Sequence, residues 1–485
     1  MFVSAQAPRR KCLTETRRAL ASEFYLRVKV YIKTYGCQMN ERDSENLAAD
    51  LAARGHEIVS DEKSADVFVA NTCSVREAAE LKALGKLSRI AHRKKNGFPI
   101  LAVMGCMSQN LGQEIVKKVP KIDIIAGTKK SPYLPDYIEQ IARRRLSGIV
   151  PPDPQRGERI KWKYNDAIIE IDDDASSHRL VKNHLASPRP VCANISIMQG
   201  CAMKCSYCIV PKTRGAERSR SIPEIVGEAA LLAKNGAKEI CLLGQVVNAF
   251  GRGQIEIADK KTPFVQLLEE IHKIDGVKRI RFVSPHPSYF KSDLISAYSR
   301  LPKLCEYAHL PLQSGSDKIL RDMRRPYSAK RFVEIANALK ASKEIFSLST
   351  DIIVGYPGET EEDFQKTAEV FKLCKFDMAY IFKYSPRAGT LSAERPDDVS
   401  ESEKERRNQI LLEILKDMSL EFNERLVGTT QEVLAESPAK RGAGFLMGRT
   451  RTHRKVIFKG DSSLIGELVD VKIEKAGVSA LEGSL

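Results

Sequence analysis

Residues 200–208 read Gly-Cys-Ala-Met-Lys-Cys-Ser-Tyr-Cys, which puts Cys201, Cys205 and Cys208 in one short loop. Thiolates are soft ligands suited to zinc or to an iron–sulfur cluster, and three so close in sequence can hold one metal centre without help from distant chain. Three is one ligand short of a closed structural zinc site. A four-iron cluster on three cysteines keeps one iron open for a substrate or cofactor, so the loop reads as reactive. A zinc knuckle with a fourth ligand from Cys192, His178 or His184 is the alternative that spacing leaves open.

The whole chain bounds the answer further. Its 485 residues allow two to four domains, and 42% hydrophobic with 29% charged residues describes a soluble globular protein. A net charge of +16 favours a polyanionic partner, nucleic acid first. No apolar run approaches the ~18 residues of a membrane span. Eleven cysteines, odd in number and scattered, exclude a disulfide framework and fit a reducing cytoplasm. Residues 1–27 are basic, lack a secretory core, and read as a disordered extension or an overcalled start.

In the first domain, 28–145, a strand–helix pattern occurs three times. Val28–Tyr35 leads to Cys37, Ala65–Asn71 to Cys73 and Pro99–Met104 to Cys106, with helices expected over Glu41–Arg54, Arg76–Lys95 and Ser108–Val119. Strands joined by helical crossovers run parallel, so the three thiols lie at one sheet edge, where open α/β sheets bind ligands. Any one such cysteine is ordinarily a small buried residue. Three in the same place predict a second three-thiol site.

Residues 146–186 read as a proline-rich linker with one short strand at Ala167–Ile171. In 187–424, strands at Cys192–Met198, Glu239–Leu243, Arg279–Val283, Tyr307–Leu312, Leu348–Val354 and Met378–Tyr384 alternate with amphipathic helices. This predicts a parallel barrel, complete or partial, although a doubly wound sheet gives the same alternation. Polar residues gather at the expected strand ends: Gln245 and Asn248, His286, Gln313, Asp351. His286 reads equally as an acid–base group or as a hydrogen-bonded rim residue. In 425–485, short strands with glycine and serine turns predict a small β-barrel. Arg449, Arg451, Arg454 and Lys455, near Lys440 and Arg441, mark a candidate phosphate-binding face.

The spacing Cys-x3-Cys-x2-Cys with Tyr207 before the last cysteine resembles the signature loop of the radical S-adenosylmethionine (SAM) enzymes. Thr34–Asn40, Asn71–Glu77, Gly105–Met107, Thr213–Arg220 and His309–Ser316 extend the likeness to the radical-SAM methylthiotransferases. Ser74-Val75-Arg76 favours the members acting on N6-isopentenyladenosine of tRNA; Val246 and Ser221 depart from that subgroup's usual asparagine and proline.

The resemblance implies an amino-terminal cluster domain, a partial (β/α)6 TIM-like barrel and a carboxy-terminal RNA-binding TRAM barrel. It implies a [4Fe-4S] cluster on Cys201, Cys205 and Cys208 that cleaves SAM to a 5′-deoxyadenosyl radical. A second on Cys37, Cys73 and Cys106 would supply sulfur and take a methyl group, the product being a methylthio group on carbon 2 of N6-isopentenyladenosine at tRNA position 37. Tyr207, Gln245, Asn248, Gln313 and Asp351 are expected SAM contacts, and Arg214, Glu217 and Arg220 further contacts to SAM or substrate. An electron donor such as flavodoxin or ferredoxin, a sulfur donor, and a cytoplasmic monomer are also implied. The rivals are sister enzymes acting on threonylcarbamoyl-adenosine or on a ribosomal-protein aspartate, and a zinc-stabilised RNA-binding protein without activity.

Overall fold

The computed structural model describes residues 26–74, 77–94, 97–146, 167–171, 184, 191–440 and 442–485. Most of the extension and linker, together with Val75, Arg76, His178 and Arg441, lie outside them. The first domain is a six-stranded sheet in the order β2-β1-β3-β4-β5-β6. Its strands are β1 (Lys29–Tyr35), β2 (Glu57–Ile58), β3 (Val67–Thr72), β4 (Ile100–Gly105), β5 (Ile124–Ala126) and β6 (Ile168–Glu170), and every pairing is parallel.

Both faces of this sheet are apolar, as a parallel sheet covered by helices requires. Val30, Val67 and Val69 pack under helix α1 (Gln38–Ala53) through Leu47 and Leu51. Phe68, Ala70 and Val103 pack under α2 (Glu77–Arg93) through Ala83 and Leu87. The third expected helix divides at Gly112, whose φ of +50° interrupts it, leaving α3 (Cys106–Leu111) and a second short helix over Glu114–Lys118. The strand read within the linker is β6, which joins this sheet beside β5.

The central domain has two parallel three-stranded sheets. One is ordered β11-β10-β7 and the other β12-β13-β14. The strands are β7 (Cys192–Ser196), β10 (Glu239–Leu243), β11 (Arg279–Phe282), β12 (Tyr307–His309), β13 (Ser347–Val354) and β14 (Met378–Lys383); β8 (Met198–Gln199) and β9 (Arg218–Ser219) form a small antiparallel pair. A bridge between Ile280 and Leu304 joins the two sheets on one side. On the other side β7 and β14 are edge strands, so this is a partial barrel, not a closed barrel or a doubly wound sheet. Outside lie amphipathic helices, among them α5 (Ile222–Lys234), whereas the short α4 (Val210–Arg214) follows the thiol loop and packs against α3 of the first domain. The α5 start is fixed by a capping box in which Ser221 and Glu224 satisfy each other's backbone amides. Ser221 thus closes the helix end by hydrogen bonding.

After α6 (Glu401–Glu424), five strands close into a barrel in the order β15-β16-β17-β19-β18. They are β15 (Thr430–Pro438), β16 (Phe445–Thr450), β17 (Lys455–Lys459), β18 (Leu468–Ala476) and β19 (Leu481–Ser484). The last strand has too short and mixed a pattern to be read from sequence. It closes the barrel by pairing parallel with β17 and antiparallel with β18.

Arginines dock this barrel under the central one. Arg279 donates to the Glu432 carboxylate at 2.8 Å and the Arg449 carbonyl at 2.9 Å. Arg281 donates to the Thr450 and Arg451 carbonyls. In return Arg451 holds Glu306 at 2.8 Å, and buried Arg454 holds Asp377. The first domain docks through α1. Asp43 meets Arg214 at 2.7 Å, and Arg42, fully buried, reaches Glu45 of its own helix and Glu228 of α5. Glu228 also takes Arg220 at 2.6 Å and His184 at 2.6 Å. Burial opposes the charge on His184, but its hydrogen bonds to Glu228 and Glu45 raise its pKa above the usual value. The Thr128 hydroxyl donates to the Thr213 carbonyl across the same seam.

Removing one partner of a buried pair strands the other. Arg454→Ala is therefore expected to cost about 3–5 kcal/mol, read as a lower urea midpoint and earlier proteolysis between α6 and β15. Asp43→Asn should raise hydrogen exchange in both α1 and α4 while leaving the β15–β19 barrel protected. Unchanged exchange at the α1–α4 seam would show that the Asp43–Arg214 pair does not hold the domains together.

Candidate active site

The register of the first sheet decides where its thiols meet. Tyr35 lies opposite Thr72, and Thr72 opposite Gly105, on adjacent parallel strands. Cys37, Cys73 and Cys106 follow these residues by one or two positions and so share the carboxyl edge. Gly105 has φ +98°, and a Cβ there would overlap the Thr72 carbonyl, so the close turn into Cys106 requires glycine. Buried Asn40 and Asn71 brace the edge. Asn40 donates to Asn71 Oδ1 at 2.8 Å and the Thr72 carbonyl at 3.0 Å, while Asn71 donates to the Asn40 carbonyl at 2.8 Å. Cys73 and Cys106 are buried, and Cys37 is exposed toward the barrel. The charge of Arg214, sustained first by Asp43, also feels Cys106 and Cys37. Arg214 therefore stands between the two domains' thiol loops.

The loop 200–208 leaves the end of β7 through the β8–β9 ribbon. Gly200 (φ +81°) has no room for a side chain against the Ala216 carbonyl, and the Cys201 amide donates to the Gly215 carbonyl at 3.1 Å. Ser206 pins the middle, its amide to the Met323 carbonyl at 3.1 Å and its hydroxyl to that of Asp322 at 2.7 Å. Burial pushes the Cys208 thiol up to about 12 and raises that of Cys201, and each is also raised by its neighbouring cysteine thiols. Arg325 donates to Cys205 Sγ at 3.4 Å, a contact of the kind that tunes a cluster's potential.

The two donor sets fit iron–sulfur clusters, each with three convergent thiols and one open position. Among the described residues no three His, Cys, Asp or Glu side chains close around a single metal ion. A zinc would need its sulfurs about 2.3 Å from one centre, whereas a cluster spreads its thiolates over several irons. Of the fourth ligands considered for zinc, the two among the described residues stand elsewhere. His184 is held by Glu45 and Glu228, and Cys192 is at the opposite end of β7 from the loop.

Beside Cys208 opens a cavity of about 740 Å³ lined by Tyr207, Gln313, Asp351, Ile353 and Phe382, with Glu77 and Leu81 of α2 on its far wall. Gln313 holds φ +67°, a costly conformation for a residue with a side chain. Its backbone exchanges hydrogen bonds with Asp351 and Ile353 of β13. Gln245 has a buried Oε1 with no hydrogen-bond partner, a polar atom left for a ligand to satisfy.

Other expected contacts are used differently. The Asn248 side-chain amide donates to the His286 carbonyl at 3.0 Å and accepts from the His286 backbone N–H at 2.8 Å. Burial, aided by Arg325, drives the His286 pKa down to about 2, which favours its neutral imidazole. Arg214 and Arg220 are buried in ion pairs with Asp43 and Glu228. Glu217 keeps a buried Oε2 without a hydrogen bond. Arg451 and Arg454 dock domains, leaving Lys455 exposed and Arg449 paired with Glu436. Reading by motif missed Arg325 and Asp43, which no spacing distinguishes from surface charges.

A second cavity, about 570 Å³, is lined by Cys37, Cys192, Arg281, His309, Asp351, Tyr380 and, from the last domain, Arg449 and His453. Asp351 lines both cavities. The two three-thiol loops thus flank one barrel mouth, with Asp351 on the shared wall.

Family models match along the chain. Residues 29–127 match the uncharacterized protein family UPF0004, 195–371 the radical SAM superfamily and 424–485 the TRAM domain. The chain is 47% identical over 480 residues to the tRNA-2-methylthio-N(6)-dimethylallyladenosine synthase of Opitutus terrae, covering 94% of this chain and 97% of that one. It is 44% identical to the enzyme of that name from Akkermansia muciniphila, covering 94% and 98%. Among solved structures, the radical SAM methyltransferase TsrM of Kitasatospora setae superposes with a TM-score of 0.50 at 13% identity, over 84% of this chain and 79% of that one, a likeness of fold. With identity of this extent over nearly the whole length, and two three-thiol loops at one barrel mouth, the chain belongs to the radical-SAM methylthiotransferase family of the tRNA-2-methylthio-N(6)-dimethylallyladenosine synthases.

Proposed function

We propose that this protein transfers a methylthio group to carbon 2 of N6-dimethylallyladenosine at position 37 of tRNA. The observation that carries the reading is the pair of three-thiol loops, each one ligand short, facing a common mouth. When bound, two [4Fe-4S] clusters and SAM supply the electron, the radical initiation, the sulfur and the methyl group that replacing an inert aromatic hydrogen requires.

The chain's own residues bind, orient and shield. Cys201, Cys205 and Cys208 hold one cluster, and the Arg325 guanidinium beside Cys205 steadies its negative charge. Cys37, Cys73 and Cys106 hold the other, fixed by the Asn40–Asn71 brace. The cavity beside Cys208 takes SAM, with Tyr207, Gln313 and Asp351 on its walls. Asn248 acts at one remove, by fixing the His286 turn. Ile353 and Phe382 supply the cavity's apolar wall. The third barrel binds the tRNA backbone, chiefly through Lys440, Lys455 and Lys459, which remain exposed. Reduction calls for a small electron-transfer protein such as flavodoxin or ferredoxin, and turnover for a sulfur donor. We place the enzyme in the cytoplasm as a monomer. No helix among the described residues is long and apolar enough to cross a membrane.

Iron and acid-labile sulfide on anaerobically reconstituted protein should approach about eight of each per chain, as two four-iron clusters demand. Zinc without iron would overturn the assignment. Cys201→Ala should abolish SAM cleavage. Cys37→Ala should retain cleavage and lose methylthio product by at least a hundredfold, scored on anticodon stem-loop RNA by mass spectrometry of its nucleosides. Cleavage surviving in the Cys201 variant would refute the division of labour.

A further inference from the structure

The gap between β7 and β14 is the only opening in the ring of six strands that the described residues leave. The 570 Å³ cavity lies in it, because Cys192 and Asn194 of β7 and Tyr380 of β14 line opposite sides. The first domain roofs the cavity with Gly36, Cys37 and Gln38, and the last domain floors it with Glu436, Arg449 and His453. It is therefore the place where an RNA strand held by the TRAM barrel can come within reach of the Cys37 loop.

A base leaving its stack needs a flat face to lie on and polar groups for its edge. Tyr380 offers the face. It is 49% exposed, and the exposed large hydrophobic side chains of the described residues include no other aromatic ring. On a half-covered strand its neighbours Ala379 and Ile381 pack into the core, so the period of two turns Tyr380 into the gap. Next to it stands His309, with ring centroids 6.3 Å apart. His309 is hydrogen-bonded to Asp351 at 3.1 Å and to Ser349 at 2.8 Å. This polar pair lies at the inner end of the cavity, where Asp351 also faces the Cys208 side.

We propose that Tyr380 is the stacking platform for the purine base entering through the β7–β14 gap, with the His309–Asp351 pair meeting the base's polar edge. A base lying on Tyr380 has its inner edge at the wall shared by the two cavities, between the two thiol loops. The proposal rests on the reaction assigned above.

Stacking on an aromatic side chain contributes about 1–3 kcal/mol per base, or roughly 5- to 150-fold in affinity. In the reconstituted full-length enzyme, Tyr380→Ala and Tyr380→Leu should raise KM for prenylated anticodon stem-loop RNA by about 10- to 100-fold with a much smaller change in kcat, while Tyr380→Phe stays within about threefold of wild type. Leucine keeps the strand packed and removes only the ring, and circular dichroism with the cluster absorbance verifies the fold. A stem-loop with 2-aminopurine at the target position should be quenched by the wild type and by Tyr380→Phe, and not by the other two. Wild-type KM and quenching in the alanine and leucine variants would overturn the platform. Quenching needs no turnover, so quenching by a wild type that forms no methylthio product would refute the reaction and retain the platform.

Discussion

The arrangement depends on the ion pairs that α1 makes across the domain seam. That helix begins directly after Cys37 and, within one turn and a half, places Arg42 and Asp43 against Glu228 and Arg214 of the barrel domain. Arg214 precedes the glycine whose carbonyl ties Cys201, and Arg220 follows the ribbon that feeds the same loop. Buried ion pairs are a weak source of net stability, since desolvation opposes them, but they tolerate few geometries. Here they set the spacing of two thiol loops that lie on separate domains. Apolar contacts alone would hold the domains together with a less defined register.

A second constraint is the incompleteness of the central barrel. Six strands leave two sheet edges unjoined, and an edge exposes backbone groups that must be covered or used. The flanking domains cover the ends of that gap, and the lumen behind it is polar, with Glu239, Arg281, His309 and Asp351 where a closed barrel would stack aliphatic layers. The Arg281–Glu239 pair and the carbonyls of the TRAM turn satisfy one another at the floor. Above them the wall shared by two cavities is a single β13 carboxylate, Asp351. Placing SAM on one side of it and a base on the other needs no movement of the strands.

The basic excess divides between two tasks. Arg279, Arg281, Arg451 and Arg454 spend their charge inside the molecule, on carboxylates and carbonyls at the seam between barrels. Planar guanidinium groups with several donors suit that role, while Lys440, Lys455 and Lys459 of the third domain, compact and strongly hydrated, stay at the surface. Composition counts both alike. It therefore points to an anionic partner while overstating the area that meets it.

Cysteine spacing, strand–helix alternation and the change to short strands near residue 425 determined by themselves three units, two sets of three thiols and the order of the parts. These signals are local: side-chain periods of 2 and 3.6 and ligands within one loop are written in consecutive residues. The tertiary structure alone decided whether the central sheet closes, that Leu481–Ser484 completes the last barrel, and that Arg214, Arg220, Arg451 and Arg454 bind protein partners. It also placed Tyr380 in the gap and Asp351 on the shared wall. Each of these depends on contacts between residues far apart in sequence, many of them more than a hundred positions apart. A charged or aromatic residue looks the same in sequence whether its partner is solvent, ligand or another domain.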